Sequence, residues 1–189
     1  MFGRGQEDVL GSFPMFVKML GRDLAILVVA ALAWPLLSPL SAGTGVVGDM
    51  TGVLLGLLLG VCAYLLHEWG HLAGALATGS VVHPSASLGS PFVFSFESRR
   101  NSQAQFLAMS FAGFAATGFV LWIAYGVLPP DLLATRVARG AVVFLTFLGL
   151  VLEVPLVVYS LVTRKVPPVD GMEPVRIYSE PGGGSHAPR

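Results

Sequence analysis

The run His67-Glu68-Trp69-Gly70-His71 is the part of the sequence best equipped for chemistry. It is an H-E-x-x-H motif: on a helix, histidines four residues apart project from one face and can bind one zinc ion, and the glutamate between them can act as a general base. The motif lies in a long apolar segment, where unpartnered polar groups are costly. We therefore expect one Zn2+ per chain, with His67 and His71 as ligands and Glu68 as the catalytic base.

The helix face that carries the two histidines also carries small residues at steps of three and four positions. They are Gly56, Gly60, Ala63, Gly70, Gly74 and Thr78. In membrane helices, small residues allow a neighbouring helix to approach closely. Because packing has to bring a third ligand within about 2 Å of the zinc ion, the predicted metal face is also the predicted packing face.

The segment that holds the motif is one of several long apolar segments. The 189-residue chain is 54% hydrophobic and 12% charged, whereas soluble domains carry about 25% charged residues. Roughly 20 apolar residues cross a bilayer as a helix, and four segments approach that length: 24–40, 52–78, 105–128 and 140–162. We expect an all-α polytopic membrane protein with about four transmembrane helices. Its membrane domain, 24–163, would follow a cytoplasmic or interfacial leader, 1–23, and precede a flexible cytoplasmic tail, 164–189.

The first apolar segment has two interpretations. Pro35 and Pro39 interrupt it, and the small residues at 41–43 that follow are also typical of the end of a signal peptide. Acidic residues before it, Asp23 among them, make the leader less basic than a secretory signal. We therefore favour a helix that is retained in the mature protein.

The distribution of basic residues predicts the orientation in the membrane. With four spans, nine basic residues fall at the two termini and in the loop after the second span, and two fall in the opposite loops. Cytoplasmic loops carry the excess of Lys and Arg, so we expect both termini to be cytoplasmic, in a protein of the cell membrane. Eleven basic residues balance eleven acidic ones, which argues against a nucleic-acid partner.

The arrangement resembles the site-2 protease family of intramembrane zinc metalloproteases: an H-E-x-x-H motif in a membrane helix is followed by a loop with strand character and two further spans. The resemblance covers about 52–170, with the core at 52–163. It implies that His67 and His71 bind zinc, that Glu68 activates water, and that the substrate is a membrane protein or peptide cleaved in or near a membrane-spanning segment.

One family signature is altered in this chain. The middle core helix of the family commonly has Gly-Pro followed shortly by Asn, whereas this chain has Gly113-Phe114-Ala115-Ala116-Thr117. The glycine is kept, and the proline and asparagine are lost. The alternative function is therefore a non-catalytic membrane binding protein that retains the metalloprotease fold.

Two carboxylates compete for the role of third metal ligand. Asp170, in Pro167-Pro168-Val169-Asp170-Gly171, resembles the Leu-Asp-Gly element of the family but lies beyond the apolar segment. Glu153 lies inside it, nine residues before the end of the fourth span, and the midpoint of the two histidines lies nine residues before the end of the second. At a rise of about 1.5 Å per residue, both sites are about 14 Å below the same surface. Depth favours Glu153, and Pro155 after it frees a backbone carbonyl in the same turn.

The loop between the second and third spans contains a candidate substrate-binding strand. From Pro91 to Glu97 the residues alternate with period two, so Phe92, Phe94 and Phe96 share one face, and Val93 and Ser95 lie on the other. An exposed strand edge can bind an unwound substrate by strand addition. The same pattern fits a short hairpin that places its phenylalanines in lipid.

Overall fold

The computed structural model describes residues 4–43 and 45–169. Its elements are α1 (Arg4–Leu37), α2 (Val46–Ala77), β1 (Val82–Pro84), β2 (Phe94–Phe96), α3 (Gln103–Trp122) and α4 (Leu133–Thr163), with a 3-10 turn after α1 and a π turn, Ile123–Val127, after α3. This architecture confirms the predicted helical fold with a short hairpin between its second and third long helices.

Three of the described helices are long and apolar enough to cross a membrane: α2, α3 with its π turn, and α4. They begin and end near the predicted spans, although α2 and α4 each begin at least six residues earlier. α1 is not among the three. Its uncharged part, 24–37, is about 21 Å long at 1.5 Å per residue, which is shorter than the roughly 30 Å hydrocarbon core. The four-span threading with cytoplasmic termini stays a prediction.

Small residues on α2 set the packing of the bundle, as the stripe in the sequence predicts. α3 and α4 each pack along α2 and contact each other far less. A Cβ atom added at Gly56 would lie 2.6 Å from the carbonyl oxygen of Ala134 in α4, and one added at Gly74 would lie 2.7 Å from that of Ala108 in α3. Only glycine allows backbones this close.

α1 is continuous across residue 23, so the predicted boundary between a separate leader and the first span is not a break in the helix. Met19 is fully buried and packs against Leu72 of α2 and Val93 of the loop before β2. The second half of the leader therefore packs on the core helices instead of forming an independent segment.

Polar side chains join α3 to its neighbours at both ends. At its beginning, Ser102 and Gln105 form a capping box, the amide of Gln105 also donates to Thr78 O at 3.1 Å, and Gln103 donates to Ser160 O at 2.7 Å. Past its end, the guanidinium of Arg139 in α4 donates to Ala124 O at 2.8 Å and to Leu128 O at 3.3 Å. These carbonyls belong to the π turn or follow it, where regular helical bonding changes register.

The hairpin is shorter than the predicted strand. β1 and β2 are antiparallel, with Val82, His83 and Pro84 opposite Phe96, Ser95 and Phe94. Phe92 and Val93 precede β2 and lie outside the strand. Phe96 is 5% exposed and packs with Ala75, Phe106 and Met109, so this part of the hairpin is in the protein core and not in lipid.

The chain after α4 turns back onto the bundle at Arg164, whose φ of 56° is left-handed. Pro167 is fully buried, and Val166 and Val169 pack against the cluster around Phe106. The first residues of the predicted flexible tail are thus part of the folded core. Asp170 and the remainder of the tail lie outside the described residues.

Candidate metal centre

Three potential metal ligands converge between α2 and α4. His67 Nε2 lies 2.9 Å from Glu153 Oε1, His71 Nε2 lies 3.3 Å from Glu153 Oε2, and the two Nε2 atoms are 3.0 Å apart. Among the described residues, they form the one cluster of three or more His, Cys, Asp or Glu side chains close enough to share a metal ion. Glu153, the carboxylate favoured by its predicted depth, therefore lies beside both imidazoles.

The other nitrogen of each imidazole faces α3. His71 Nδ1 is 3.0 Å from Met109 O, and His67 Nδ1 is 3.2 Å from Gly113 O and 2.8 Å from Thr117 Oγ1. A carbonyl oxygen only accepts hydrogen bonds, so each Nδ1 carries the proton and donates. In the neutral tautomer, each Nε2 then carries a lone pair directed at the centre of the cluster. Histidines that bind metal ions commonly donate from their other ring nitrogen to such an outer-shell acceptor.

The donor set of this cluster fits a cation. Two Nε2 lone pairs and a carboxylate face one another, and Glu153 Oε2 has no hydrogen-bond partner within the described part of the chain. A tetrahedral ion with ligands at about 2.0 to 2.1 Å has neighbouring donors about 3.3 Å apart, close to the separations of 2.9 to 3.3 Å found here. Without a cation, the same contacts need an imidazolium ion paired with the carboxylate.

Gly113 makes room for this arrangement. A Cβ atom at Gly113 would overlap the imidazole ring of His71. Gly113 thus has a steric role, and Thr117, four residues later, hydrogen-bonds His67. Sequence reasoning treated Thr117 only as a departure from the family pattern. Its position one helical turn after Gly113, on the same face, was the available signal.

Glu68 is not one of the three clustered ligands, and its carboxylate lies at the loop before β2. Its side chain is buried, with the residue 8% exposed, and it faces the Tyr64 hydroxyl and the backbone amide of Val93. The Tyr64 hydroxyl also donates to Pro91 O at 2.7 Å. Glu68 therefore lies at the contact between the motif helix and the loop.

A cavity of about 500 Å³ connects these groups. His67, Glu68 and Glu153 line it together with Pro91 and Phe92, and most of its remaining wall is apolar side chains from α3 and α4. Of the five residues predicted to bind substrate, Phe92 borders the cavity, Val93 packs beside Glu68, and Phe94, Ser95 and Phe96 belong to β2.

The arrangement can place a polar reaction centre inside an apolar chamber: three donors for one cation, a separate carboxylate, and space for an extended peptide. Comparison of the chain with known protein families, with curated proteins and with solved structures finds no match. Asp170, the other candidate ligand, lies outside the described residues.

Proposed function

We propose that this protein is an intramembrane zinc metalloprotease that hydrolyses a peptide bond in or near a membrane-spanning segment of a protein substrate. The observation that carries the proposal is the placement of His67 Nε2, His71 Nε2 and Glu153 within 3.3 Å of one another, with Glu68 on the wall of the same cavity. An imidazole pair with a carboxylate is a donor set of catalytic zinc sites, which keep a fourth position for water or substrate.

In the proposed reaction, His67, His71 and Glu153 hold the zinc ion, which when bound acidifies water and polarises a carbonyl group. Glu68 takes a proton from the attacking water and passes it to the nitrogen of the leaving amine as the C–N bond breaks. Met109 O, Gly113 O and Thr117 hold the two imidazoles in one tautomer. Most of the other side chains that line the cavity around the two carboxylates are apolar.

The shape of the cavity favours a peptide of membrane origin. Its walls include Phe114 and Leu121 of α3 and Leu145 and Leu152 of α4, so apolar side chains of a substrate can be accommodated. A helix hides its backbone hydrogen bonds, and hydrolysis needs an extended segment at the site. The loop at Phe92 and β2, whose sheet has only two strands in the described structure, offers backbone groups for that purpose by strand addition.

The test of this function starts from zinc content and cleavage of the purified full chain. We expect one zinc per chain and cleavage of a membrane-protein substrate by the wild type. Glu68→Gln should keep the zinc and the fold and lose at least about 100-fold in rate, because an amide cannot take the proton. Substantial turnover by Glu68→Gln would reject the mechanism.

The second candidate function is a non-catalytic binding protein that retains the metal centre. The observation in its favour is that the Thr117 hydroxyl is engaged with His67 Nδ1 at 2.8 Å and Gly113 O at 3.2 Å, which leaves the cavity with few polar groups to orient a substrate backbone. Such a protein would hold zinc and bind membrane peptides without cleaving them.

The proposal places the centre on the cytoplasmic side of the cell membrane. Reporters fused at Ser87 or at the C-terminus should be cytoplasmic, and a reporter after Asp131 should be external. An external signal at Ser87 would reverse the orientation and leave the metal chemistry unaffected.

A further inference from the structure

Asp23 of α1 has a carboxylate buried beside the H-E-x-x-H motif, with the residue only 1% exposed. Its Oδ2 accepts a hydrogen bond from the indole Nε1 of Trp69 at 2.8 Å, and its Oδ1 lies 2.6 Å from Nε of Arg22. Trp69 is the motif residue that directly follows Glu68. A buried carboxylate is tolerated only with such partners, so the network fixes α1 against the helix that holds the predicted ligands.

Arg22 continues this network into the loop before β2. Its Nη1 donates to Leu88 O and, at 3.4 Å, to Ser90 O. A guanidinium presents five donors in a fixed plane, so one group can bind a carboxylate and backbone carbonyls at the same time. We call residues 88–93 the site loop, because Phe92 lines the cavity and the Val93 amide faces Glu68.

The site loop has few other attachments to the bundle. Tyr64 donates to Pro91 O, and the fully buried Val93 packs between Met19 and Leu72. Leu88 is 42% exposed, and within the described part of the chain the hydrogen bonds found between residues 88–90 and the helices are those from Arg22. Arg22 and Asp23, which belong to the predicted leader, are therefore connected through the site loop to Glu68, the predicted catalytic base.

We propose that Arg22 and Asp23 are positioning residues: Asp23 orients the guanidinium of Arg22, and the guanidinium holds the site loop against Glu68. The anchoring of the loop stands on its own contacts, and its effect on cleavage rests on the proposed protease function. When the anchor is lost, the loop should lift from the motif helix, and the backbone near Val93 should leave Glu68.

Hydrogen exchange followed by mass spectrometry on the full chain in detergent tests the anchor without any use of activity. In Arg22→Gln, backbone amides of the site loop should exchange about tenfold faster, the factor expected for losing a hydrogen bond to a charged group. Asp23→Asn should give a smaller increase, because its amide oxygen can still accept from Trp69. Lys18→Gln is the matched control, since it removes an exposed cation from the same helix and should leave exchange unchanged.

The same variants separate the anchor from the chemistry. Arg22→Gln should keep its zinc, and its kcat should fall by a larger factor than its KM changes. Arg22→Lys keeps a compact positive charge beside the carboxylate, so it should recover part of both the loop protection and kcat. Site-loop exchange at the wild-type rate in Arg22→Gln overturns the proposal. If that variant does not fold, site-loop exchange at the wild-type rate in Asp23→Asn overturns it instead. A mature N-terminus near Gly43 would also overturn it, because both residues would be gone.

Faster loop exchange in Arg22→Gln, together with a wild type that binds zinc and cleaves nothing, supports the anchor and rejects the protease function. If the wild type binds zinc and cleaves its substrate but Arg22→Gln leaves loop exchange unchanged, the protease function is supported and the anchor is rejected.

Discussion

Both halves of α2 pack closely against a neighbouring helix through glycines, but the contacts that result differ. In the first half, Gly52, Gly56 and Gly60 bring α4 close, and the contacts they make are with aliphatic side chains and one backbone carbonyl. In the second half, Gly70 and Gly74 bring α3 close, and there the imidazoles of His67 and His71 reach carbonyl oxygens of α3.

The difference shows that close packing positions chemistry only where a polar side chain stands at the contact. A glycine stripe by itself is a common feature of membrane helices. In the second half of α2, the close approach of α3 places two carbonyl acceptors at the distance that fixes the tautomer of each histidine. In the first half, Asp49 is exposed, and the contacts that Gly52, Gly56 and Gly60 allow with α4 are packing contacts.

Gly113→Ala should have the largest effect on the contact between α3 and the second half of α2. The new methyl group would overlap the His71 ring, so His71 must leave the centre, and we expect zinc loss together with about 1 to 3 kcal/mol of overpacking cost. Zinc analysis and thermal unfolding would measure both. Gly118→Ala on the same helix is the control, because no atom lies within 4 Å of its added Cβ. Full zinc content in Gly113→Ala would contradict this account of the site.

Glu153→Ala should empty the centre while leaving the packing of α2 unchanged. Two imidazoles rarely hold zinc alone, so the purified variant should retain little metal and no cleavage. Glu153→Asp keeps the charge but withdraws the oxygens by one methylene, and we expect partial zinc with reduced turnover, since catalytic groups tolerate about 0.5 Å of displacement. Asp170→Ala should keep its zinc. The reverse pattern would identify Asp170 as the third ligand.

Thr117→Val should weaken the centre without emptying it. The substitution preserves shape and removes the hydroxyl from His67 Nδ1, which keeps Gly113 O at 3.2 Å. Loss of an outer-shell partner typically costs about 10- to 100-fold in metal affinity or activity, and competition with a chelator of known affinity would measure it. Thr146→Val, on the cavity wall in α4 with its hydroxyl bonded to Val142 O, is the control. Equal affinity in both variants would mean that the hydroxyl of Thr117 does not position His67.

Gly60→Ala should affect the first half of α2 and leave the metal unchanged. Its Cβ would lie 2.8 Å from the Cβ of Ala141 in α4, so the two helices must move apart slightly, and we expect the free energy of unfolding to fall by about 1 kcal/mol. Zinc content should remain at the wild-type level. A loss of zinc in this variant would show that the two halves of α2 are coupled.

Periodicity and depth predicted much of this molecule. Three of the four predicted apolar spans, and the hairpin between the second and third long helices, correspond to elements of the structure. Glu153 could be predicted near His67 and His71 because the second and fourth spans are expected to run in the same direction and to end at the same membrane surface, so counting residues back from their ends gives relative depth. The metal itself and the hydrolytic reaction stay predictions.

The contacts that depend on the path of a loop or on a helix's rotation could not be predicted this way. Nothing in the spacing of Arg22 and Asp23 indicates that one binds loop carbonyls 66 and 68 residues later and the other binds Trp69. Likewise, the alternation at 91–97 indicates extended chain, but the point at which pairing begins is decided by burial of Phe96 and by contacts of Val93 with α1 and α2.

The polar links at both ends of the gap between α3 and α4 have a mechanical consequence. Gln103 of α3 is hydrogen-bonded to α4 at Ser160, and Arg139 of α4 is hydrogen-bonded to the π turn. α4 is therefore held at two points about 31 Å apart, at 1.5 Å per residue. A helix held at both points bends between them instead of rotating about one end. The displacement is then largest at the middle, near Gly149, one turn before Glu153. Under the proposed function, a substrate that entered between α3 and α4 would therefore displace the segment next to the Glu153 carboxylate most, which would couple substrate entry to the geometry of the candidate metal centre.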